Sequence, residues 1–200
     1  MNGNLSDPDL WSRIAAYEFP SVDGMLFGDY VRLKTGYNAR DVNAMIFEYR
    51  RFTYLCIACP GETRPSTYVD EIWHIHLTLT ADYWNRFCPE ALGRKLHHNP
   101  GGPPPNESPR FEATLEQYEQ EFGKSAPDRY WRPAPSRFIL RGLQIGFLIF
   151  ATVVSSVGWP KTALLALVPI VLIQIWIHRQ RPQKAGGDSG GVGCGGGCGD

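Results

Sequence analysis

The chain has 200 residues, 43% of them apolar, with 20 Lys and Arg balanced by 20 Asp and Glu. That is the size of one ordinary domain with something added, and the neutral total conceals an uneven spread: 14 basic and 18 acidic residues through Ser136, six basic and no acidic ones from Arg137 to Lys184, then only Asp188 and Asp200. The acidic first part argues against a basic nucleic-acid-binding domain, five scattered cysteines do not make a secreted disulfide framework, and Met1 to Trp11 lacks the basic and apolar regions of a cleavable signal peptide.

Helical periodicity runs through the first 136 residues, and no period-2 strand pattern competes with it. Ser6-Asp7-Pro8 supplies a cap and a first-turn proline for a helix carrying Leu10, Trp11, Ile14 and Tyr17, which Pro20 stops. A short helix is predicted over Met25 to Leu33, ending near Gly36. Asn38 caps a long run with Val42, Met45, Ile46, Tyr49 and Leu55 on one face, closed by Pro60-Gly61; this helix is expected at the centre. Pro65-Ser66-Thr67 opens a helix in which Val69, Ile72, Trp73, His76, Leu77, Thr80, Tyr83, Trp84 and Phe87 read as one continuous stripe, ended by Cys88-Pro89. After a linker from Asn99 to Asn106, Ser108 and Pro109 start a last helix with Phe111, Leu115, Tyr118 and Phe122, stopped by Gly123. The expected fold is an all-α bundle over residues 1–136.

Two runs without ionisable side chains follow, GLQIGFLIFATVVSSVGW from Gly142 and TALLALVPIVLIQIWI from Thr162. With flanking residues they predict transmembrane helices at 138–159 and 161–178, joined by a tight turn into an antiparallel hairpin in the lipid bilayer. Arg129, Arg132, Arg137 and Arg141 precede the hairpin and Arg179, Arg181 and Lys184 follow it, against Lys161 alone in the turn. The positive-inside rule then puts both the bundle and the tail on the cytoplasmic side. The tail at 185–200, rich in glycine, cannot bury enough apolar surface to fold. Its accessible thiols, Cys194 and Cys198, suit a soft metal ion, a reversible disulfide or a modification.

Chemistry concentrates in STYVDEIWHIHL, residues 66 to 77, and in LHHNP from Leu96. Positions two apart on a helix point about 200° apart, so His74 and His76 cannot hold one ion together. A metal site has to join one of them to His97, His98 or Cys88. Histidine and thiolate donors suit zinc or another transition metal, with Asp70, one turn before His74, as a partner orienting that ring. The plainer reading is structural: His74 paired with Asp70, His76 bonded within the core, and His97 and His98 tying the loop to the helix. Cys56 and Cys59 form a CxxC at a helix C-terminus, where the dipole opposes thiolate formation, so packing is the expected role.

Val69, Asp70, Trp73, His74, His76 and Leu77, followed by Phe87-Cys88 and then Gly93, Leu96, His97 and His98, resemble the hallmark V-D-x-x-W-H-x-H-L, F-C, G-x-x-L-H-H of the glycine-rich domain-containing protein-like family of plants and bacteria. The likeness extends over roughly Val42 to Trp131 and names no reaction. Plant members are associated with development and stress responses, and the RNA-recognition module of some has no counterpart here. The glycine and cysteine ending is similar to those of several bacterial membrane proteins. Together these imply a bacterial inner-membrane protein whose bundle is a metal-responsive binding or scaffold module for a cytoplasmic protein partner. The alternative is a metal-assisted or His74/Asp70 acid–base enzyme at the inner membrane face, although no nucleophile elbow, phosphate loop or HExxH helix is present.

Overall fold

Capping side chains set where the helices of this chain begin. In the computed structural model, which describes residues 5–59, 61–99, 108–132 and 182, Asp7 accepts from the Leu10 amide at 2.9 Å and starts α1 (Pro8–Ala16). Asn38 accepts from the Asp41 amide at 2.9 Å and starts α3 (Ala39–Ala58), and Ser66 accepts from the Val69 amide at 3.2 Å and starts α4 (Thr67–Thr78). Each such cap stabilises its helix by about 1 kcal/mol. Between them α2 (Phe27–Thr35) ends at Gly36, whose φ of 72° only glycine adopts without strain. The described residues thus form an all-α structure with no strand, one isolated bridge joining Val22 and Met25.

One expectation fails at Leu79. The stripe from Val69 to Phe87 does not lie on a single helix, because Leu79 leaves the helical conformation at φ −88°, ψ 60° and leaves Thr80 exposed. The chain restarts as α5 (Thr80–Asp82) and passes directly into a π-helix (Tyr83–Leu92). Pro89 does not stop that helix as expected. It lies inside it, where its missing amide interrupts regular α-helical bonding without ending the turn, and Gly93 at φ 74° ends it instead. Helix α6 (Pro109–Phe122) and the short α7 (Asp128–Trp131) complete the fold.

Helix α3 packs centrally, against α1, α2, α4, α6 and the π-helix, so its buried surface cannot be purely apolar. Its carboxylates Asp41 and Glu48, seven residues apart on one face, hold the C-terminal elements. Asp41 accepts from Arg129 Nε at 3.0 Å and Nη2 at 2.9 Å and from the Tyr130 hydroxyl at 2.9 Å. Glu48 accepts from Arg51 at 3.0 Å, the Tyr118 hydroxyl at 2.9 Å and the Trp131 indole at 2.8 Å, while Arg51 also bonds Tyr118. Trp131 itself is completely buried.

The segments expected to cross the membrane, 138–159 and 161–178, lie outside the described residues, as do the tail at 185–200 and the linker beyond Asn99. Among the described residues no helix is long and apolar enough to cross a membrane.

Removing one partner of a buried ion pair leaves the other charge uncompensated, at a cost of about 3 to 5 kcal/mol. Glu48→Ala is therefore expected to destabilise the bundle by about 3 kcal/mol or more, and Tyr118→Phe, which keeps the ring but loses the hydroxyl that meets Glu48 and Arg51, by about 1 to 2 kcal/mol. Urea unfolding of the detergent-solubilised full chain, followed by near-ultraviolet circular dichroism, measures both. A Glu48→Ala loss no larger than that of Tyr118→Phe would contradict the assignment.

Candidate functional site

The two histidines of H-x-H enter opposite worlds, as their spacing on α4 requires. His76 is completely buried. Its ring packs among Phe19, Phe27, Tyr49, Tyr83 and Phe87, with centroids 4.8 to 5.8 Å away. Its Nε2 lies 2.9 Å from Asp82 Oδ2 and its Nδ1 lies 2.9 Å from the Tyr49 hydroxyl. A carboxylate can only accept, so Nε2 carries the hydrogen and Nδ1 accepts from Tyr49, which fixes a neutral tautomer. Burial pulls the His76 pKa down to about 4, against the opposing pull of Asp82. Asp82 is further held by the Tyr17 hydroxyl at 2.8 and 2.9 Å and by Arg86 at 2.8 Å. This is a sealed polar knot joining α1, α3, α4 and the start of the π-helix.

His74 faces outward from the same helix, with its side chain 55% exposed. Opposite it stands His98, carried back to α4 by the loop after the π-helix. That loop is seated by Tyr83, whose hydroxyl accepts from the Trp73 indole at 3.0 Å and donates to the Leu96 carbonyl at 2.7 Å. The His98 ring then rests on Trp73 and on His74, each with a centroid separation of 4.5 Å. His98 Nε2 lies 2.9 Å from Asp70 Oδ1 and 3.1 Å from His74 Nε2, and His74 Nε2 lies 3.8 Å from Asp70 Oδ2.

Asp70, His74 and His98 therefore converge, each offering a donor atom and all within 4.8 Å of one another. The two Nε2 atoms and the Asp70 carboxylate are thus in direct polar contact with one another. Each of the three side chains offers an atom that could ligate a cation. Donors about 2.0 to 2.1 Å from an ion at tetrahedral angles lie about 3.3 Å apart; the two ring nitrogens stand 3.1 Å apart, and the carboxylate approaches His98 with Oδ1 at 2.9 Å and His74 with Oδ2 at 3.8 Å. The residues fit a divalent transition metal.

Other candidates are placed elsewhere. His97 is exposed and lies against Trp84 at 5.2 Å, and Cys88 is buried in the core, where desolvation raises its thiol pKa. Asp70 meets both rings, with Oδ1 2.9 Å from His98 Nε2 and Oδ2 3.8 Å from His74 Nε2. Burial pushes Cys56 up to about 12 and Cys59 up to about 11, and Cys56 meets the Thr63 hydroxyl at 2.9 Å. These thiols stay protonated, as packing residues would. Cys194 and Cys198 lie outside the described residues.

Asp82 is not singled out by the sequence, and Tyr49 and Tyr83 are legible there only as members of the packing stripes, not as hydrogen-bond partners. Asp82 follows His76 by six positions, which on a straight helix is the wrong face, and only the break at Leu79 brings them together. The available cue was the threonine on either side of Leu79 with an acidic residue a turn later, a composition common where a helix starts. In comparisons with known proteins, no family model, no curated protein and no solved structure matches the chain.

A histidine with a depressed folded pKa contributes stability that is fully present above the unfolded value near 6.5 and lost as pH falls toward about 4. The folded protein resists protonation at His76 while the unfolded chain accepts it. Acidification across that window is expected to remove about 3 kcal/mol through this group. Imidazole NMR on the full chain at pH 5 checks the premise directly: His76 must still give a neutral-ring signal, and a protonated one would refute it.

Proposed function

We propose that this chain is a membrane-tethered, all-α binding or scaffold module that takes a divalent transition-metal ion, zinc among the candidates, at Asp70, His74 and His98. The observation that carries the reading is the convergence of those three donors on the outer face of α4. Two imidazoles and a carboxylate form a donor set that borderline ions accept. His76, although beside His74 in sequence, takes no part. Its two ring nitrogens are already committed to Tyr49 and Asp82.

The tether rests on the uncharged runs from Gly142 and Thr162 and on the basic residues flanking them. The reading places the chain in a bacterial inner membrane with the bundle and the tail toward the cytoplasm, where the metal-bound face would meet a protein partner. The motif shared with the glycine-rich domain-containing protein-like family fits this, since its hallmark Asp70, His74 and His98 are the three donors. Nucleic acid is not expected as a partner of a domain with 18 acidic and 14 basic residues. The exposure of His74 favours a second reading as well, an enzyme at the inner membrane face working through this same cluster.

Zinc titration of the detergent-solubilised full chain is expected to give one ion per chain. His74→Ala or His98→Ala should abolish tight binding, and His97→Ala should leave it unchanged. Tyr83→Phe keeps every donor but releases the loop from its bond to the Leu96 carbonyl, and is expected to weaken binding about 10-fold. Equal affinity in His98→Ala and the parent would overturn the site. Separately, a periplasmic-type phosphatase fused at Lys161 is expected to be active outside the cytoplasmic membrane, and an inactive fusion there would reverse the orientation.

A further inference from the structure

The cluster on α4 has a closed side and an open one. His98 is 14% exposed and backed by Trp73, whereas Asp70 is 32% and His74 55% exposed. No further His, Cys, Asp or Glu joins the three donors among the described residues. His76 and Cys88 are sealed in the core, and His97 is turned onto Trp84. Structural zinc sites are closed by four protein donors, while sites with three keep a position for water or a ligand. The charge points the same way. A divalent ion held by one carboxylate and two neutral imidazoles keeps a net charge of about +1, which one more anionic oxygen cancels.

We propose that an ion held by Asp70, His74 and His98 takes an exogenous oxygen anion of the carboxylate class on its solvent-facing side. The proposal rests on the metal-binding reading and adds to it. Such an anion could be a free small carboxylate or a carboxylate presented by another protein. A ligand arising within this chain, a thiolate of Cys194 or Cys198 or a carboxylate of Asp188 or Asp200, would be a different arrangement.

Cobalt(II) separates these cases, because its visible spectrum reports the donor set. The full chain in detergent and a chain ending at Lys184 are each loaded with cobalt(II), then titrated with acetate and with acetohydroxamate, a bidentate oxygen anion. Both chains are expected to bind one ion, to lack the intense thiolate-to-cobalt band, and to shift their visible bands saturably with each anion. A response to free acetate makes a small carboxylate sufficient; a response to acetohydroxamate and to a glutamate-bearing peptide, but not to acetate, assigns the position to a protein-borne group. His74→Ala should remove the cobalt spectrum altogether. Bound cobalt whose bands ignore saturating acetohydroxamate would overturn the open position while leaving metal binding intact. A thiolate band in the full chain, or an anion response confined to the shortened chain, would overturn it by filling the position from the tail. Failure to take up cobalt would overturn both readings together.

Discussion

The contact between His76 and Asp82 decides how the rest of the molecule is arranged. Six residues apart on an unbroken helix, these side chains would point away from each other and be separated by about 9 Å along the axis. They meet at 2.9 Å because Leu79 breaks the helix and turns the chain back. The reversal sends the π-helix across α1 and returns the following loop to α4, where Tyr83 fastens it. His98 reaches Asp70 and His74 only by this route. A buried, neutral imidazole thus acts as the hinge pin for a cluster on the surface in which it has no part.

Burial and exposure divide the labour between neighbouring histidines. His76 has both nitrogens bonded and an environment that disfavours its charged form, so its contribution is to hold four elements in register. His74 lacks that enclosure, and its ring meets His98 and Asp70 on an open face of α4. The first arrangement is complete without any further group. The second leaves a side open to solvent, and the proposed metal binding rests on that openness.

Local rules in the sequence located most of the helices. Asn38 and Ser66 were readable as caps, Gly36 and Gly123 as stops, and the length of the α3 run as a sign that it packs centrally, because each depends on a few adjacent residues. The departures share a cause. Leu79 has no intrinsic tendency to break a helix, and Pro89 ordinarily stops one; both positions depart from local tendency in the segment that joins His76, Asp82 and the aromatic rings around them, contacts that adjacent residues do not announce. At the site, the 200° separation of His74 and His76 was legible from helical geometry. The partnership of Asp70 with His98, 28 residues away, was not, since it depends on where a tyrosine hydroxyl anchors a loop. Asp41 and Glu48 likewise gave no hint of their distant partners in α7.

Those two carboxylates determine how a pull on the C-terminal side would be felt. The last described turn is inserted into the bundle by Trp131, with Arg129 and Tyr130 gripping Asp41 and the indole gripping Glu48. Tension applied beyond Arg132 is consequently delivered to α3, through Asp41 and Glu48, and equally to the start of α4, where the capping Ser66 hydroxyl donates to the Tyr130 carbonyl at 2.6 Å. The histidine cluster is in this sense mechanically linked to residue 132: the element that plugs the core with Trp131 also grips the cap of α4, one turn before Asp70.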